Sequence, residues 1–228
     1  MIRRARSARG FTLIEMLVVL AIIIVITSIV LSGQSLFNQT LTLTNTSYDV
    51  ALSIRQAETY GISSRVFGPA ANTGYGLEFS KGTPGSYIFY ADAYPAPGSI
   101  NNCHCSNSTC AALPDAKPGN CLYDAVYNGN ASELVSQYTF GNGIMVADFC
   151  GTDASSGARH CAVASPSDLR SVDTVFIRPN TAATITGINN SGASVQLSSA
   201  VIYLSESGAT RCVQVTAVGQ VSVLPACP

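Results

Sequence analysis

The chain has 228 residues, a formal net charge of −1 and only 11% charged residues. That length suits one domain with a modest core plus an apolar segment, and the near-neutral balance argues against a chain built to neutralise phosphates. Ser, Thr, Asn and Gly fill much of the remainder and Trp is absent, which favours a strand- and turn-rich domain over a helical bundle.

The first ten residues, MIRRARSARG, carry Arg3, Arg4, Arg6 and Arg9 and no acid. Phe11 to Leu31 follows as an apolar run of 21 residues with a single charge, Glu15. As a helix, such a run covers about 30 Å, the thickness of a bilayer core. Arginines immediately before it place the N-terminus in the cytoplasm and the rest outside. The run is too long for a secretory signal peptide, and no small-residue cleavage site stands at its end. A plain signal anchor would explain the run but not Glu15. A carboxylate inside a membrane helix costs about 2.5–3.5 kcal/mol on insertion scales, so it needs a reason to be there.

Gly10-Phe11-Thr12-Leu13-Ile14-Glu15-Met16 resembles the type IV prepilin signature: a basic leader, Gly, Phe, then Glu at the fifth position of an apolar run. The resemblance implies that a prepilin peptidase cuts between Gly10 and Phe11 on the cytoplasmic side and N-methylates the new amino terminus of Phe11. It implies that Glu15 neutralises the amino terminus of a neighbouring subunit during assembly. The implied partners are that peptidase, other pilin or pseudopilin subunits, the inner-membrane assembly machinery and the membrane itself. The implied location is the inner membrane, single-pass, and then a periplasmic or extracellular filament. Loss of the leader takes Lys plus Arg from 12 to eight against 13 acids, a formal charge of −5.

Ser32, Gly33 and Gln34 interrupt the apolar run. Many pilins have proline where Ser32 stands, so a break near Gly33 is left open. Leu36, Leu43, Val50, Ile54 and Ala57 then recur at spacings of seven, seven, four and three, one stripe of an amphipathic helix. The helix is expected to end at Gly61 as a C-cap. The expected segments are a leader (1–10), a transmembrane and assembly helix (11–32), an amphipathic helix (33–61) and an extracytoplasmic head (62–228).

In the head, Tyr75–Phe79, Ser86–Ala91, Leu134–Phe140 and Val172–Ile177 are short β-prone runs. Ala193–Leu197, Ala200–Leu204, Arg211–Val215 and Gln220–Leu224 follow, with Ser207-Gly208 and Gly219 as turns. The fold class is therefore α+β, a long N-terminal helix packed on an antiparallel sheet. Arg211 to Val221 also resembles the closing strands of the H-type minor pseudopilin and FimT-like group, with Gln220 where that group has arginine. Some members bind DNA near this end. Only Arg211 is basic here and the trimmed chain is acidic, so no nucleic-acid partner is expected. Residues from about Asp92 to His160 are read as a surface loop elaboration.

The eight cysteines are Cys103, Cys105, Cys110, Cys121, Cys150, Cys161, Cys212 and Cys227. In an exported domain they read as disulfides, with 105 possible pairings. Chain proximity suggests pairing among the first four, Cys150 with Cys161, and Cys212 with Cys227. Zinc is the rival, because Cys103-His104-Cys105 with Cys110 and Cys121 offers enough ligands. However, Cys-x-Cys departs from the usual ribbon spacing, and no metal or cofactor is expected. His104 and His160 are the only histidines, and no hydrolase, metalloprotease or P-loop motif appears. Asp148, Asp153 and Asp173 are candidate calcium ligands whose spacing fits no EF-type loop, so solvated surface positions are the expectation. The reading is a non-enzymatic pilin-like or pseudopilin subunit of a pilus or secretion pseudopilus. The alternative is a signal-anchored extracytoplasmic binding domain that does not polymerise.

Overall fold

The structure, a computed structural model, describes residues 10–63, 65–68, 73–93, 119–126, 132–179, 181–224 and 226–228. The side chains of residues 32, 33, 35 and 36 lie outside the description, as do Cys103, His104, Cys105 and Cys110. Among the described residues, one helix, α1 (Leu13–Ile62), is followed by ten strands. By internal contacts the chain divides into a unit ending at Leu41 and a unit from Thr42 to Pro228.

The first unit is helical from Leu13, and the helix does not end at Ser32 or Gly33. Neither residue forbids helix: Gly costs only about 1 kcal/mol relative to Ala, and no proline removes a backbone donor. Leu13–Leu31 is long and apolar enough to cross a membrane, with a mean hydropathy of 3.0 and none of it buried within the chain. Its hydroxyls are satisfied internally. Thr27 Oγ1 donates to the Ile23 carbonyl at 2.8 Å, and Ser28 Oγ donates to the Ile24 carbonyl at 2.8 Å. Such back-bonding lets a hydroxyl sit in hydrocarbon without an unmet donor.

The second unit begins with the last turns of α1. Leu43, Ser47, Val50, Ile54, Ala57 and Gly61 are buried at spacings of four, three, four, three and four, the face a helix presents to a core. Leu43, Val50, Ile54 and Ala57 belong to the amphipathic stripe read in the sequence and join the main core. Gly61 does not cap the helix. It is a helical residue, and a Cβ there would stand 2.1 Å from the Phe176 carbonyl oxygen. Glycine at this position lets the helix approach the strand backbone closely.

The strands are β1 (Gly74–Ser80), β2 (Ser86–Asp92), β3 (Leu134–Thr139), β4 (Met145–Asp153), β5 (Arg159–Cys161), β6 (Leu169–Phe176), β7 (Ala183–Asn189), β8 (Ser194–Glu206), β9 (Ala209–Thr216) and β10 (Val221–Leu224). All strand pairs are antiparallel, in the order β10-β9-β8-β7-β6-β1-β2-β3, with β4 added to β8 and β5 to β4. The two runs read around residues 193–204 form one 13-residue strand, β8. Its first residues pair with β7, and Ser199 to Ser205 lie between β4 and β9. Residues 92–160 are not all loop, because β3, β4 and the start of β5 lie among them.

Alternation puts Leu77, Phe79, Phe89, Val172 and Phe176 into the main core with α1. The opposite face of β1, β2 and β6 holds a smaller core of Tyr90, Cys121 and Val175, flanked by Ile88 and Tyr123. Ser53 on α1 shares a 2.8 Å hydrogen bond with the Tyr87 hydroxyl on β2, so helix and sheet also meet through a satisfied polar pair.

Candidate functional site

At the start of α1, Thr12 Oγ1 accepts the backbone N–H of Glu15 at 3.3 Å, and the Thr12 carbonyl accepts that of Met16 at 3.2 Å. Thr12 is therefore the N-cap and Glu15 the third helical residue, which is the spacing of a capping box. The T-x-x-E pattern of Thr12 and Glu15 carried this information, yet the sequence reading passed over Thr12. Glu15 also lies in the first turn, where the helix dipole favours an anion. Phe11 is 76% exposed and Leu13 83% exposed. Gly10 has open space where a Cβ would stand, so the described fold does not itself require glycine there.

Beyond this turn, Leu17, Val18, Ala21, Ile22, Val25 and Ile26 line a wholly apolar groove of about 330 Å³ along α1. Small Ala21 between branched residues makes a hollow of the kind that receives a ridge from another helix.

The other sequence candidates are scattered over the second unit. Cys150 bonds Cys161, its register partner across β4 and β5, and Cys212 bonds Cys227. Cys121 is disulfide-bonded as well, and among the described residues no cysteine is free. Asp148, Cys150 and Cys161 bring potential ligand atoms close together. The disulfide removes both thiolates from metal duty, and Asp148 is already engaged. Its Oδ1 accepts the N–H groups of Phe149, Ala162 and Val163, and its Oδ2 accepts that of Ala164.

The three aspartates read as calcium candidates do separate jobs. Asp153 Oδ1 accepts the Ser155 hydroxyl and the Ser155 and Ser156 amides, each at 2.7 Å, and these hydrogen bonds, the hydroxyl's first, hold its carboxyl well below the usual carboxylate range. Asp173 is 2% exposed, not a solvated surface position. Its Oδ1 accepts the Tyr90 hydroxyl at 3.0 Å and the Tyr123 N–H at 3.1 Å. It stands directly opposite Glu78 in the β1–β6 register. Burial first, and the Glu78 charge second, push the Asp173 carboxyl well up. Burial pushes Glu78 up to about 7, partly offset by Arg170. Nearby, Asp92 Oδ1 accepts the Asn120 and Cys121 amides, and Glu133 accepts those of Ala93 and Asp124. These carboxylates tie residues 119–124 down over the outer face of the sheet.

His160 Nδ1 is 2.5 Å from Asp168 Oδ2, and its Nε2 is 3.9 Å from Asp153 Oδ2. Among the described residues, the contacts of the His160 ring are thus with the two aspartates. Arg211 donates to the neighbouring Thr210 carbonyl.

Comparison with known proteins finds one correspondence. The family model for the prokaryotic N-terminal methylation motif matches residues 5–31. No curated protein and no solved structure matches the chain. The matched stretch contains Gly10, Phe11, Thr12, Glu15 and the whole apolar span. It ends at Leu31 and does not reach the head or the stretch that resembles the H-type group.

Proposed function

We propose that this chain is a type IV pilin-like or pseudopilin subunit, cleaved between Gly10 and Phe11, methylated at Phe11 and assembled through its N-terminal helix into a pilus or secretion pseudopilus. The observation that carries this reading is the methylation motif over residues 5–31, coincident with a helix whose apolar residues find no cover within the chain. Gly10 supports it too. Where the described fold does not ask for glycine, recognition by a peptidase supplies a reason for it.

The chemistry of assembly follows from the first turn. Cleavage leaves an ammonium on Phe11, and Glu15 is the one acid in the apolar span. Each charge alone is costly in hydrocarbon, and pairing a carboxylate with the amine of a neighbour offsets part of that cost. The pair thus sets register between subunits more than it adds stability. The groove around Ala21 receives a neighbouring helix, with close van der Waals packing as the driving term. The segments follow as a leader (1–10), a membrane and assembly helix (11–32), its extension (33–61) and an extracytoplasmic head (62–228). The role is structural, with a prepilin peptidase, fellow subunits and the inner-membrane assembly machinery as partners.

The test is the intact mass of the protein from hosts with and without prepilin peptidase. Loss of residues 1–10 and gain of one methyl group, only where the peptidase is present, is the expected result. An unprocessed N-terminus in the competent host would overturn the proposal.

A further inference from the structure

Between the α1 face at Thr46 and Asp49 and the β2–β3 edge lies a cavity of about 170 Å³. Three aromatic residues line it: Tyr87, Tyr138 and Phe140. Tyr87 and Tyr138 stack with centroids 5.1 Å apart, and Phe140 leans on Tyr87 at 5.5 Å and 44°. Tyr138 lies on edge strand β3 and is 37% exposed, so its ring is reachable from solvent. Asp49 completes the wall, exposed and, among the described residues, without a salt-bridge partner. Burial, chiefly, pushes the Tyr87 hydroxyl up to about 12, with smaller contributions from Tyr138 and Asp49.

Tyr87 is buried and packed between Phe79 and Tyr138, so it backs the cavity, and the exposed Tyr138, the half-buried Phe140 and the Asp49 carboxylate are the groups an organic cation would meet there. The rings attract it through their quadrupoles, and the carboxylate neutralises it. An anion would meet Asp49 and ring faces, and a neutral ligand would leave the carboxylate unanswered. The same head already uses this chemistry internally, since the Arg65 guanidinium sits 4.3 Å from the Tyr60 ring centroid.

We propose that the cavity bounded by Asp49, Tyr87, Tyr138 and Phe140 is a binding site for an organic ammonium group. The group is either a small quaternary amine or the side-chain ammonium of a lysine. The site lies wholly within the second unit and is independent of the processing motif.

The test uses the full chain in a non-ionic detergent, titrated with choline, with its uncharged carbon isostere neohexanol, and with N-acetyl-lysine methylamide. Binding is read by calorimetry and by tyrosine fluorescence. Choline is expected to saturate, with neohexanol about tenfold weaker or more. Asp49→Asn and Tyr138→Ala are each expected to weaken choline about fivefold. Both positions are exposed, and near-ultraviolet circular dichroism verifies that the variants keep their fold. Tighter binding of choline than of the lysine amide assigns the site to a small amine, and the reverse assigns it to a lysine side chain. No saturable binding of either cation, equal binding of neohexanol, or unchanged affinity in both variants would overturn the proposal.

Discussion

Replacing Glu78 with glutamine is expected to stabilise the protein at pH 8 and to change little at pH 5. Glu78 and Asp173 face each other across β1 and β6, and Glu78 is raised from 4.5 to about 7, chiefly by burial. A carboxyl raised on folding keeps its proton longer in the folded state than in the unfolded chain. The associated stability is therefore fully present below about pH 4.5 and is lost as pH rises through about 7. A shift of this size corresponds to about 3 kcal/mol, and partial exposure of Glu78 brings the expected loss between pH 5 and pH 8 nearer about 2 kcal/mol. Glutamine carries no proton to lose and also removes the charge that raises Asp173. Urea unfolding of the full chain in detergent, followed by tyrosine circular dichroism, gives the comparison. The wild type should fall by about 2 kcal/mol between pH 5 and pH 8, or about 4–8 °C in Tm, and Glu78→Gln should fall clearly less. Parallel profiles for the two proteins would refute the reasoning.

Two glycines give predictions of opposite kind to that one. Gly61→Ala puts a methyl group 2.1 Å from the Phe176 carbonyl and should cost about 1–3 kcal/mol, measured by the same unfolding assay, because neither helix nor strand backbone yields easily. Gly219→Ala combines a φ of 86° with a Cβ 2.0 Å from the Thr181 carbonyl. It should cost at least as much and should also disturb the Arg55 hydrogen bond to the Gly219 carbonyl, visible as faster amide exchange at the β9–β10 turn.

The N-terminal turn was the most legible part of the chain, because its information is local: Gly10, Phe11, Thr12 and Glu15 lie within six residues. The helix stripe and the short runs rich in aromatic and β-branched residues, such as β1, β2 and β9, were legible for the same reason. β4 escaped because register shifts at Val146/Asp148 and Thr152/Asp153 break its period of two. β7 escaped because its two large apolar residues, Ile185 and Ile188, stand three apart, which breaks a period of two. β8 was read as two runs because polar Ser198 and Ser199 interrupt its apolar pattern, although the backbone continues through them. Gly61 looked like a cap because a glycine at a helix end usually is one, and its contact with Phe176 is 115 residues away in sequence. Asp173 looked solvated because an aspartate whose spacing fits no calcium loop is by default a surface residue. Nothing in the pattern of β6 reveals that residues 119–124 cover the outer face of the sheet there.

The central claim is assembly through the N-terminal helix, and Glu15 is the side chain on which that claim turns. Glu15→Gln keeps the size and polarity of the residue while removing the charge that we propose answers a neighbour's amino terminus. In a host with both peptidase and assembly machinery, wild-type protein should be recovered in the sheared filament fraction. Glu15→Gln should be cleaved after Gly10, stay in the membrane fraction and be missing from filaments. Recovery of Glu15→Gln in filaments at the wild-type yield would contradict the account.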